Sequence, residues 1–330
     1  MRRREFIAGL GSAAAWPMVA RAQQGERVRR LGIVSTYDGI SSDSQRFLAS
    51  LKQGLAELGW VEGRNLRIDV RWTAGNLDLA NRHAREVVSL QPDVIFAEST
   101  PPLAALQRET RAIPIVIQGV SDPIGSGFIA GLARPGGNIT GLGWLEPTMG
   151  GKWLELLRDM VPDVKSVAAM FNPQTAPYVR SYYLPSFEAA ARSFDIEASI
   201  TPVHSDAEIE TLIASLANKP NTGLVAMSDS FLIVRAAPTA VLVARYKVPA
   251  VWFNAIFPRA GGLFSYAADT NDQWYRAAAY IDHILHGAKP ADLPVQQPVK
   301  FEMVVNAKAA KTLGLTVPQS ILLRADEVIE

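Results

Sequence analysis

The chain contains no cysteine. Disulfides, thiolate metal sites and a cysteine nucleophile are therefore excluded. Histidine is scarce, at four residues. His283 and His286 share a helix face, but no third ligand stands near them in sequence, so a solvated helix face is expected there and not a metal site. A dominant charge sign is also missing. The net charge of +1 offers no electrostatic reason to invoke nucleic acid. No P-loop is present, so the chain is not an ATPase of that type. No G-x-S-x-G elbow marks a hydrolase nucleophile. No cofactor is expected. Gly9-Leu10-Gly11-Ser12-Ala13-Ala14 fits a dinucleotide fingerprint by letter, but it follows no strand. Beyond the N-terminus no apolar run approaches the length of a membrane helix, so the mature chain is expected to lack a stable membrane insertion.

What is present begins with that N-terminus. Arg2, Arg3 and Arg4 lead into an apolar, small-residue stretch ending near Val19. Ala20-Arg21-Ala22 follows as an A-x-A-like cleavage site. Residues 1–22 read as an export signal, and Arg3-Arg4-Glu5-Phe6-Ile7 resembles a twin-arginine signal. A periplasmic location, reached through the export machinery, is the expectation. The segment carries four arginines against one glutamate, leaving the remainder with two net negative charges.

The length of 330 residues suits two domains, and the chain repeats itself at half that scale. Val28–Thr36 is echoed by Val164–Asn172, and Leu51–Gly59 by Phe187–Asp195. Gln91–Ser99 is answered by Asn221–Asp229, and Ala112–Gly119 by Lys247–Asn254. Four echoes in one order, at offsets of 130 to 136 residues, mean two similar lobes. Clefts between lobes are where small ligands bind.

Each lobe alternates strand and helix. Leu31–Ser35 is a buried strand, and Phe47, Leu51, Leu55 and Leu58 recur at helical spacing until Gly59. Leu66 to Trp72 alternates apolar and charged residues as a half-exposed strand. Such alternation predicts right-handed crossovers and parallel sheets covered on both faces. The first lobe is expected over 28–145 with about 270–290, and the second over 146–269 with part of 300–330. Several chain crossings then form a multi-segment hinge.

In parallel α/β sheets ligands sit outside the carboxyl ends of the strands. That rule selects Ser35, Thr36, Tyr37, Ser99, Thr100, Ser121 and Asp122 in the first lobe. In the second it selects Asn172, Ser228, Asp229, Asn254 and Tyr266. Glu98 and Gln118 stand at the same strand ends. Asp122 and Asp229 could clamp an ammonium by charge-assisted hydrogen bonds. Helix N-termini after the strands could receive a carboxylate. Tyr37 and Tyr266 offer flat apolar surface. Ser, Thr, Asn and Asp after strands also serve as helix N-caps without any ligand.

The N-terminal MRRREFIAGLGSAAAWP…ARAQQ, the segment Leu132–Leu142 (LARPGGNITGL) and the tail GAKPADLPVQQPVKFEMVVNAKAAKTLGLTVPQSILLRADEVIE resemble the exported substrate-binding proteins of a bacterial ABC transporter family of tryptophan/tyrosine type. The resemblance covers essentially the whole chain. It implies a type I periplasmic binding protein fold, with two α/β lobes closing on a ligand. It raises Ser35, Ser99, Thr100, Asp122, Asn172, Asp229 and Tyr266 as ligand contacts. It also implies a small-molecule ligand and, as partner, an ABC permease driven by a separate ATPase subunit. An amino acid or related compound, with an apolar or aromatic side chain, is the expected ligand. The alternatives are a receptor feeding a signalling partner, and an exported α/β enzyme.

Overall fold

A computed structural model describes residues 27–330, and the export-signal reading of 1–22 lies outside them. The first half runs β1 (Arg29–Ser35), α1 (Ser42–Glu57), β2 (Leu66–Trp72), α2 (Leu77–Ser89), β3 (Val94–Glu98), α3 (Thr100–Glu109), β4 (Ile115–Val120) and β5 (Ile139–Gly143). The second half begins with α4 (Met149–Met160), β6 (Ser166–Phe171), α5 (Val179–Tyr182), α6 (Leu184–Ser193), β7 (Glu197–Pro202), α7 (Asp206–Ala217) and β8 (Thr222–Ala226). It continues with α8 (Ser230–Ile233), α9 (Ala236–Arg245), β9 (Ala250–Trp252), α10 (Ile256–Arg259) and β10 (Phe264–Ala268). The tail adds α11 (Thr270–Leu285), β11 (Phe301–Asn306), α12 (Ala307–Leu313), α13 (Gln319–Leu322) and β12 (Glu327–Ile329).

The strands β1, β3 and β8 are buried over most or all of their length because helices cover both faces of their sheets. The helices start where the side chains say they should. Ser41 caps α1 through Ser44 N–H, and Asn76 caps α2 through the N–H groups of Asp78 and Leu79. Phe47, Leu51 and Leu55 turn the buried face of α1 inward.

The two sheets have one topology. The first is ordered β2-β1-β3-β4-β5, and the second contains β7-β6-β8-β9-β10, extended by β11 and β12. The repeat seen in the letters is thus a repeat of strand order. It extends to backbone conformation. Gly59 turns left-handed after α1 at φ 92°, and its counterpart Asp195 does so after α6 at φ 54°. Gln91 and Asn221, which lead into β3 and β8, adopt φ 48° and 57°.

All pairs in the first sheet are parallel, whereas β11 runs antiparallel to β10. The chain passes between sheets three times. It leaves the first after β5, returns from β10 into α11, and leaves again after a bridge between Leu142 and Gln296. Helix α11 belongs with the first sheet: its Trp274, Ala277, Ala278 and Ile281 share one core with Leu31, Phe47, Phe96 and Val116. Among the described residues no helix is long and apolar enough to cross a membrane.

Candidate ligand-binding site

The carboxyl ends of both sheets meet around a small space. Strand β1 delivers Thr36 and Tyr37, β3 delivers Glu98 and Ser99, and β4 delivers Gln118 and Gly119. From the other side come Ser228, Asp229 and Ser230 after β8, with Phe253 and Asn254 after β9. Trp144, on the first crossing, and Tyr178 complete the wall with Ile233. The inner cavity holds about 20 Å³, room for about one water molecule. Tyr37 and Ile233 also line a wider hollow of about 350 Å³ at the cleft mouth. Asp38, Asp43 and Arg46 line that mouth from the first lobe, and Val234, Ala237 and Arg259 from the second.

Hydrogen bonds cross the cleft at its edge. The Ser121 hydroxyl lies 2.9 Å from the Tyr183 hydroxyl, joining the end of β4 to the helical layer of the second lobe. Trp144 Nε1 donates to Ser228 Oγ at 3.1 Å. The lobes are therefore in contact, and the cavity is far below the several hundred Å³ of pockets that take organic ligands. An organic ligand does not fit within the inner space alone.

Two carboxyls dominate the electrostatics. Glu98 Oε2 accepts from the Ser35 hydroxyl at 2.9 Å and from Thr36 N–H at 2.8 Å. Burial pushes its pKa up to about 7, against the pull of those two donors. Asp229 accepts from Asn172 N–H at 2.7 Å, from the Thr175 hydroxyl at 2.5 Å and from Phe231 N–H at 2.9 Å. Burial raises it to about 6, offset by those same donors. Tyr37 packs its ring 5.1 Å from Phe47 and 6.4 Å from Trp274. Burial holds its hydroxyl protonated well above the ordinary range, and the neighbouring Glu98 adds to the effect.

Of the residues selected from sequence, Thr36, Tyr37, Ser99, Ser228, Asp229 and Asn254 line the cavity. Ser35 stands behind Glu98, and Asn172 behind Asp229. Thr100 is buried with its hydroxyl lacking a partner, and Ser121 forms the cleft-edge bond. Two residues lie elsewhere. Asp122 adopts φ 45° and accepts Gly125 N–H at 2.9 Å, closing its own turn without lining the cavity. Tyr266 sits in the middle of β10, not at its end, and stacks on Phe301 at 5.6 Å. Flat apolar surface comes instead from Trp144, Tyr178 and Phe253.

The N-terminus of α3 is a poor carboxylate site, contrary to expectation. Pro101 and Pro102 carry no N–H, Ser99 N–H is spent on Gln118 O, and Leu103 N–H on Ser99 O. Asp229 does act as a cap, accepting from Phe231 N–H, while Asn254 accepts from Ile256 N–H in the turn just before α10. Ser99 does not. It holds φ 78°, ψ 160° with no side-chain cap bond, a conformation costly for a non-glycine residue and typical of binding loops.

The family model described as ABC transporter substrate binding protein matches residues 36–329. A protein of Clostridioides difficile named tyrosine-binding protein is 26% identical over 291 residues, covering 88% of this chain and 82% of that protein. The crystal structure of a conserved domain protein from Vibrio cholerae superposes with a TM-score of 0.83 at 27% identity, covering 92% of this chain and all of the other. An ABC domain from Streptococcus pneumoniae in complex with L-Trp superposes with a TM-score of 0.82 at 25% identity, covering 91% and 99%.

Proposed function

The chain belongs to the ABC transporter substrate-binding protein family and has the type I periplasmic binding protein fold, and from that premise we propose that it is the solute receptor of an importer for an amino acid or a related small molecule. Its role is binding, not turnover. The observation that carries this reading is the cavity itself, walled by strand ends of both sheets. A ligand that touches both walls favours the closed arrangement over the open one. The moving bodies are 28–145 with 270–290, and 146–269 with part of 300–330. The wider hollow at the cleft mouth gives a side chain somewhere to go. Trp144, Tyr178, Phe253 and Ile233 favour an apolar or aromatic one. Two relatives support this choice, one named for binding tyrosine and one in complex with L-Trp.

Substrate-binding proteins of this family work outside the cytoplasm. The closed receptor docks on an ABC permease powered by a separate ATPase subunit. Native mass spectrometry of protein purified without refolding should reveal a retained amino acid or related compound, and titration with L-tyrosine or L-tryptophan should saturate at one per chain. A retained sugar, with no heat from either amino acid, would remove the amino-acid reading.

Export by the twin-arginine route rests on Arg3 and Arg4. Changing both to lysine should leave precursor in the cytoplasm, read by immunoblot of cell fractions. Normal periplasmic accumulation would eliminate that route while leaving the general secretory one open.

A further inference from the structure

Ser121 follows β4 of the first sheet, and Tyr183 lies between α5 and α6 of the second half. Their hydroxyls meet at 2.9 Å, in residues 1% and 0% exposed. Neither residue lines the inner cavity. The contact is uncharged, and its protons can be assigned. Tyr183 has one hydroxyl proton, which Leu145 O accepts at 3.2 Å. Ser121 is then the donor across the gap between lobes.

The acceptor is held in place before the lobes meet. The Tyr183 ring packs 5.4 Å from Trp153 of α4 and 5.0 Å from Tyr182. Tyr178 lies 6.2 Å away and donates its own proton to Ser228 O at 3.0 Å. The Ser121 and Thr100 hydroxyls also stand near the Tyr178 hydroxyl and oppose the effect of its burial. Burial nonetheless keeps both phenols protonated far above their ordinary value.

We propose that Ser121 and Tyr183 form a latch that sets ligand affinity without touching the ligand: their hydrogen bond forms as the lobes close and is broken as they part. This rests on the receptor reading above and names two positioning residues for the same site. About 1 Å of added separation is enough to break such a bond, after which both hydroxyls meet water. The latch therefore raises the closed population of the free protein and tightens every ligand by one common factor. The net worth of one hydrogen bond makes that factor about two- to tenfold.

The chain lacks cysteine, so Ser42→Cys and Ala237→Cys, at the cleft mouth on opposite lobes, accept a specific pair of spin labels. Pulsed electron resonance then gives the distances between lobes in the labelled parent, Tyr183→Phe and Ser121→Ala, each free and with L-tyrosine or L-tryptophan. Calorimetric titration of the unlabelled proteins gives the affinities. Both variants should lower the closed-to-open ratio by about two- to tenfold and weaken both amino acids by that same factor. Once Tyr183 is phenylalanine, Ser121→Ala should cost little more, because both changes remove one bond. Tyr183→Phe keeps the ring in the core, and Ser121→Ala removes the same bond from the other lobe, so either variant that folds serves. Fully additive losses, a loss that differs between the two ligands, or unchanged distances and affinities would overturn the latch and leave the receptor reading intact. Failure of both amino acids to bind the parent would count against the amino-acid reading, while the distances of the free proteins still decide the latch.

Discussion

At pH 8, ligand-free Glu98→Gln protein should melt several degrees above its parent, and at pH 5 the two should nearly coincide. Burial raises Glu98 from an ordinary value of 4.5 to about 7. A raised carboxyl in the folded state makes the native protein bind more protons than the unfolded chain between those two values. Below the lower value both states are protonated and nothing is lost. As pH rises through the window the unfolded chain releases its proton first, and the folded state loses ground. Above the upper value the deficit is complete, at about 3 kcal/mol for a shift of that size. Glutamine keeps an oxygen for Ser35 and Thr36 but never ionises. Its advantage should therefore grow from pH 5 to pH 8. Thermal melts of both proteins at the two pH values decide the matter. An equal gap at both would show that Glu98 does not titrate in that window.

Trp274→Ala should destabilise the protein by about 3–5 kcal/mol, the usual loss when a buried tryptophan leaves a cavity. Trp274 is fully buried in α11. Its ring lies 4.9 Å from Phe96, 6.1 Å from Phe47, 6.4 Å from Tyr37 and 6.5 Å from Trp72. It therefore fastens a helix that arrives late in the chain to the first three strands laid down. It also backs Tyr37, which lines the cavity, so residual folded protein should bind ligand more weakly. Trp274→Phe keeps most of the apolar volume and should lose well under half as much. Denaturant unfolding of both variants measures the effect. A Trp274→Ala protein within 1 kcal/mol of the parent would mean that α11 does not pack on the first sheet as described.

The lobes were legible because strand order was duplicated along with the residues that end each strand. Val28–Thr36 and Val164–Asn172 echo one another as letters because β1 and β6 occupy the same place in two sheets. The strand-end rule reached six residues of the cavity wall because parallel strands expose one end only. It could not find Trp144 or Tyr178, which come from a crossing segment and from the approach to a helix. Their place depends on how the lobes meet, and no local pattern records that. Tyr266 was selected as a strand end, yet it sits mid-strand, where Phe301 of the antiparallel β11 already covers it. Asp122 was selected as half of an ammonium clamp but closes its own turn through Gly125. The barrenness of the α3 terminus as an anion site was readable, since two consecutive prolines announce it. That the strand-end polar residues are nearly all buried, Glu98 and Gln118 among them, belongs to tertiary structure alone.

The central claim is that a ligand is captured by closure of two lobes over this cavity. Small-angle X-ray scattering with and without saturating L-tyrosine or L-tryptophan tests it most directly. The free protein should be more extended than the structure described here, whose lobes already touch through Ser121 and Tyr183. Saturated protein should show a smaller radius of gyration and a curve that fits this closed arrangement. A probe that binds by calorimetry yet leaves a wide-open scattering curve unchanged would contradict capture by closure.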